Sequence, residues 1–150
     1  MATEIDAPPA AGEAGTTLTG LTTTGANVFQ SRIRPVEAAS LPCLLVHSRS
    51  ETVEGASIHS PRPLNRTVTI EVAAVARATA DLDDTLDGIC KEVEIALAAV
   101  PSALRTLCED IVLQSTDIEL SDDAEKPVGV ARMSYQVNYF TMDNAPDAAL

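Results

Sequence analysis

The chain has 150 residues, 45% of them hydrophobic, with two Phe, two Tyr and no Trp, which suits one domain built on an aliphatic core. Ten Lys and Arg against 22 Asp and Glu leave a net charge of −12, a balance that repels nucleic acid and anionic membranes and argues against a conventional DNA- or RNA-binding module. The opening MATEIDAPPAAGEAG has no basic and apolar leader, and no apolar run approaches the roughly 18 residues of a membrane span, so the expectation is a soluble protein made in the cytoplasm.

Residues 1–18, rich in Ala, Pro, Gly and acid at their start, read as a flexible tail. The Thr- and Gly-rich TTLTGLTTTG at 16–25 has poor helix propensity and reads as a loop or a short, weak helix. NVFQSRI at 27–33 reads as a first strand, ended by Pro35. LPCLLVH at 41–47 is nearly all apolar, as in a strand buried on both faces, and continues through the more polar SRSETVE. GASIHSPRPLN at 55–65 carries Gly55, Pro61 and Pro63 and reads as a long loop or hairpin tip. In the next strand, 66–78, Val68, Ile70 and Val72 alternate with Thr67, Thr69 and Glu71.

DLDDTLDGICKEVE at 81–94 holds six acids, yet Leu82, Leu86, Ile89 and Val93 recur at the spacing of one helix face. That predicts a helix with an apolar stripe and an acidic back, capped by Thr79 or Asp81 and stopped by Pro101. IVLQSTDIEL at 111–120 changes parity between Leu113 and Ile118, and a bulge near Ser115 restores one face. The last strand, 129–141, sets Met133, Tyr135, Val137 and Tyr139 against Arg132, Ser134, Gln136 and Asn138. Residues 142–150 read as a second flexible tail. The expected fold is α+β: a mixed, mostly antiparallel sheet of about five strands with one long helix on one face, and one parallel pair at the strand–helix–strand step.

Chemical signatures are absent. There is no phosphate loop, dinucleotide fingerprint, zinc-protease motif, nucleophile elbow or CxxC pair. Cys43, Cys90 and Cys108 are odd in number and sit in apolar settings or apart, which reads as structural free thiols. DLDDTLD resembles a calcium loop in composition only, and a helix would splay its carboxylates. The reading is therefore of a non-enzyme without cofactor or metal. Five of the ten cations, Arg32, Arg34, Arg49, Arg62 and Arg66, fall within 32–66, while acids dominate from 81 onward. Such polarity suits contact between copies of the same chain.

Three stretches, TGLTTTGANVFQSRIRP (19–35), RTVTIEVAAVARATADLDDTLDGICKEVEIAL (66–97) and STDIELSDDAEKPVGVARMSYQVNYFT (115–141), together resemble the tail terminator proteins of long-tailed bacteriophages, the minor tail protein U type. The resemblance spans residues 19–141 as a single domain; relatives usually carry an amphipathic helix before the part that matches TGLTTTG. It implies a virion protein at the neck of the tail, forming a hexameric ring on the tail tube. Such a ring ends tube growth and offers a surface to the head–tail connector, while DNA passes through unbound. Under that reading Arg32, Arg34, Arg62 and Arg66 are candidates for the oligomer or tube interface. Glu71, Asp117 and Glu119 are candidates for an acidic channel lining, since a basic one would hold phosphates. Alternatives are another head–tail completion or tail tube protein, or a small cytosolic ligand-binding α+β domain.

Overall fold

A computed structural model describes residues 9–30, 41–77, 81–99, 108–121 and 128–150. Its elements, in order, are α1 (Pro9–Leu18), β1 (Val28–Gln30), β2 (Cys43–Gly55), β3 (Pro63–Arg77), α2 (Leu82–Ala98), β4 (Asp110–Ser121), β5 (Val128–Met142) and β6 (Ala145–Ala149). The sheet runs β1-β2-β3-β5-β4, with β6 paired to the far end of β5. It is mixed and mostly antiparallel: β1 lies parallel to β2, and every other pairing is antiparallel.

The alternation read from sequence fixes the faces. Val68, Ile70 and Val72 of β3 stand beside Val137, Tyr135 and Met133 of β5, and all six are buried. Leu82, Leu86, Ile89, Val93 and Leu97 of α2 join them in one core cluster. Each such apolar side chain removed from water contributes about 1.5–3 kcal/mol, so this helix–sheet seam is the main source of stability. Asp83, Asp84, Asp87 and Glu94 stay exposed on the helix back. Asp83 and Asp84 lie in the first turn, where the backbone dipole favours them. Asp81 stands at the N-cap position but makes no side-chain capping hydrogen bond among the described residues, and Thr79 lies outside them.

In β4 the register shifts between Leu113 and Ser115, as the parity change requires. The shift returns Ile111, Leu113, Thr116, Ile118 and Leu120 to the helix side, opposite Val137, Tyr135, Met133, Ala131 and Gly129. A Cβ on Gly129 would sit within 2.7 Å of Leu82, so the missing side chain is what lets the start of α2 lie on the sheet.

Five expectations need correction. Among the described residues the sheet has six strands and there are two helices, not five and one. Residues 9–18 are helical rather than a tail: Ala14 and Leu18, one turn apart, reach the core beside Leu44 and Val46, and Gly15 gives Gln30 of β1 the room to approach. Residues 145–149 form β6, closed by Leu150 N–H donating to Phe140 O at 2.8 Å, rather than a tail. The parallel pair is β1–β2; β5 inserts between β3 and β4, so the strand–helix–strand step gives no adjacent pair. The loop after β2 is also shorter than expected, because β3 starts at Pro63.

Candidate functional site

Two groups of charged side chains and one cleft stand out, and each occupies a different part of the sheet. At the end where β3 starts, Arg66 lies on the helix side of the sheet but beyond α2. Its Nε donates to Thr141 Oγ1 at 2.7 Å and its Nη1 to Glu51 Oε1 at 3.2 Å. Tyr139 Oη donates to the same Glu51 oxygen at 3.1 Å. Burial first, and then Glu51, pushes the Tyr139 phenol up, so it remains a neutral donor. Arg66 keeps only 14% of its side-chain surface exposed; it holds three strands together.

Arg62 closes the 56–62 loop. Its N–H donates to Asp143 Oδ1 at 3.1 Å, and Asp143 N–H returns a bond to Arg62 O at 2.9 Å. A hydrogen bond from Ser60, and then one from the Arg62 backbone, holds the Asp143 carboxyl below its usual range. A carboxylate depressed in the folded state contributes stability that is full above its unfolded value, about 3.9, and is lost as pH falls through the folded one. Amide protection in the 56–62 loop is therefore expected to drop below about pH 4 ahead of β3 and β5. Simultaneous loss in the loop and the strands, by hydrogen exchange, would disprove a local clasp. Arg32 and Arg34 lie outside the described residues.

The sheet face opposite α2 carries Thr67, Thr69, Glu71, Ser134, Gln136 and Asn138, as the alternation requires. Glu71 is its anchor. His47 Nε2 lies 2.9 Å from Glu71 Oε2, while Arg49 Nη1 and Arg132 Nε lie 3.9 and 3.8 Å from Oε1. Arg132 Nη1 reaches Glu119 Oε2 at 3.2 Å. The register explains the cluster: His47, Glu71, Ser134 and Ser115 form one row across β2, β3, β5 and β4, and Arg132 and Asp117 share the next. Glu71 is 9% exposed, so it is a paired, largely buried carboxylate rather than a free acid on a channel wall. Asp117 and Glu119 stand at the β4 edge and are exposed. The sequence shows the parity of Glu71 and Arg132 but not that β5 lies beside β3, and that adjacency is what brings them together.

The cleft, of about 180 Å³, opens between the end of α2 and β4 and is lined by Glu94, Leu97, Ala98, Ile111, Leu113 and Tyr135. Tyr135 Oη is buried and has no hydrogen-bond partner among the described residues; burial first, and then Glu94, pushes its phenol up. A buried donor without a partner costs about 1–3 kcal/mol. Tyr135→Phe is thus expected to leave stability unchanged or raise it by about 1 kcal/mol, read as the urea midpoint at constant slope. A loss of stability would mean that the hydroxyl is bonded in solution.

Cys43 and Cys90 are buried thiols. Burial, then Asp87 and Glu94, pushes the Cys90 thiol up, the reverse of what a nucleophile needs. Among the described residues no group of His, Cys, Asp or Glu could hold a metal ion, and no helix is long and apolar enough to cross a membrane. On the acidic helix back, Glu92 accepts from both the N–H and the hydroxyl of Thr23, tying the TGLTTTG turn to α2. No protein-family model matches the chain, and no curated protein matches it in sequence.

Proposed function

We propose that this protein is a phage tail terminator: a virion structural protein, not an enzyme, whose copies form a hexameric ring on the tail tube. The ring ends tube polymerisation at the neck and presents a surface to the head–tail connector. One observation carries the reading: opposite the helix-covered side, the middle of the sheet is polar, and its cations His47, Arg49 and Arg132 are held by Glu71 and Glu119. Such a face can stand beside passing DNA without holding it, since binding of phosphates rises with each unpaired cation. Two further features support it. Helix α1 stands directly before TGLTTTG, where the resemblance expects a helix. The Thr23–Glu92 bonds join the first and second resembling stretches in space.

Electron microscopy of the purified protein with and without tail tubes tests this. The expected result is a single six-fold ring at one end of each tube, with the protein a monomer or weak oligomer when alone. Unlimited stacking would make it a tube protein, and a lone copy on the virion would remove the ring.

A further inference from the structure

We infer that neighbouring copies join edge to edge, β4 of one copy pairing antiparallel with the free edge of β2 of the next. The inference deepens the ring reading and rests on it. Among the described residues β4 pairs only with β5, and β1 accompanies β2 only at Leu44, Leu45 and Val46. Among the described residues the sheet therefore ends in two long open edges, which natural proteins cover or pair. The strands β2, β3, β5 and β4 alternate in direction. A β4 edge meeting the next copy's β2 continues that alternation, and the two open faces point the same way. Such a contact is head-to-tail, the type that generates rings when its rotation closes.

The two edges fit one another at Leu113 and Val53 and in their charges. Val112, Ile118 and Leu120 on β4 and Val53 on β2 are four of the seven large hydrophobic residues exposed among the described residues. On the open face, the charge ladder ends in acid at β4, with Asp117 and Glu119, and in base at β2, with His47 and Arg49. The Arg49 side chain is 58% exposed although it touches Glu71. Each strand also carries one irregularity, at Gln114 in β4 and at Arg49 in β2. Setting Leu113 against Val53 of the next copy, and Ile118 against its Ser48, passes both irregularities and keeps every residue on its own face. Val53 then covers Leu113 at the mouth of the Tyr135 cleft. Asp117 comes beside the neighbour's Arg49, and Glu119 opposite its His47, so the ion ladder runs on from copy to copy.

Two single variants, Val53→Cys and Leu113→Cys, test the pairing when mixed and oxidised at high concentration, with sedimentation followed in parallel. Opposed residues in an antiparallel pair have Cβ atoms about 4.5–5.5 Å apart, close enough to link. Cys108→Ser is the background for both, because Cys108 is only partly buried while Cys43 and Cys90 are buried. The expected result is a disulfide in the mixture and none in either variant alone. Self-linking of the Val53→Cys variant, or oligomers without the mixed link, would overturn the edge pairing and leave the ring intact. No association, in solution or on tail tubes, would remove both. As a second arm, Arg49→Asp and Asp117→Arg should each weaken association on the order of tenfold, about 1.4 kcal/mol, and the two together should restore it; a combined variant weaker than either single one would overturn the pairing.

Discussion

Replacing Arg66 by Glu is expected to lower the stability of the free protein by about 3 kcal/mol. Arg66 sits among Glu51, Tyr139 and Thr141, with Tyr139 and Thr141 essentially inaccessible to water. Removing the guanidinium leaves Glu51, itself a quarter exposed, accepting only from Tyr139, and adds a second carboxylate beside it. Breaking a buried pair by removing one partner costs about 3–5 kcal/mol, and the partial exposure of Glu51 places the value at the low end through solvent screening. Against a total stability of about 5–15 kcal/mol this is a large share. Arg62→Glu should cost much less, because its contact with Asp143 is longer, at 3.7 Å, and the Arg62 side chain is 36% exposed. Urea unfolding of the two variants separates the cases. Equal midpoints would mean that Arg66 is not a structural tie and is free to serve a partner, the role its place in the basic segment points to.

That reversal of roles shows where sequence stops being informative. Local periodicity carries the faces: the stripe of α2, the alternation of β5 and the bulge next to Ser115, at Gln114, all follow from spacing along one strand or helix, which is set by backbone geometry. Adjacency between distant segments leaves no such trace. Nothing in residues 63–77 says that β5, rather than β4, will lie beside them, yet this choice brings Arg132 to Glu71 and Tyr139 to Arg66. Helix α1 was invisible for another reason. PAAGEAGTTL has two glycines, and the anchors seen among the described side chains, Ala14 and Leu18, are few, so neither propensity nor pattern announces it. Tertiary contact with Leu44 and Val46 supplies what the local sequence lacks. The short β6, APDAA, contains a proline and follows a polar turn; it is a strand only because β5 extends past β4 and offers it an edge.

Introducing two lysines on the open face, Thr69→Lys with Gln136→Lys, is expected to slow DNA ejection, while reversing Asp83, Asp87 and Glu94 to Lys leaves infectivity and ejection nearly unchanged. Thr69 and Gln136 are partners across β3 and β5, in the middle of the polar face, and Gln136 is exposed. If six copies turn that face inward, the double change adds twelve cations to the bore. Each phosphate so neutralised releases counterions, and attraction grows steeply with their number. The effect should weaken at high salt, roughly as screening shortens to about 3 Å at 1 M. The three acids of α2 are exposed and lie on the side of the sheet away from that face, Glu94 at the rim of the Tyr135 cleft, and Asp83 loses a few tenths of a kcal/mol with its place at the helix N-terminus. Glu71 is a poor choice for the same experiment, because His47, Arg49 and Arg132 already hold it and its loss would disturb the sheet itself. Single-particle ejection kinetics on virions carrying each set of changes decide the matter. Slowing by the helix lysines and not by the sheet lysines would place α2 in the bore and turn the ring inside out.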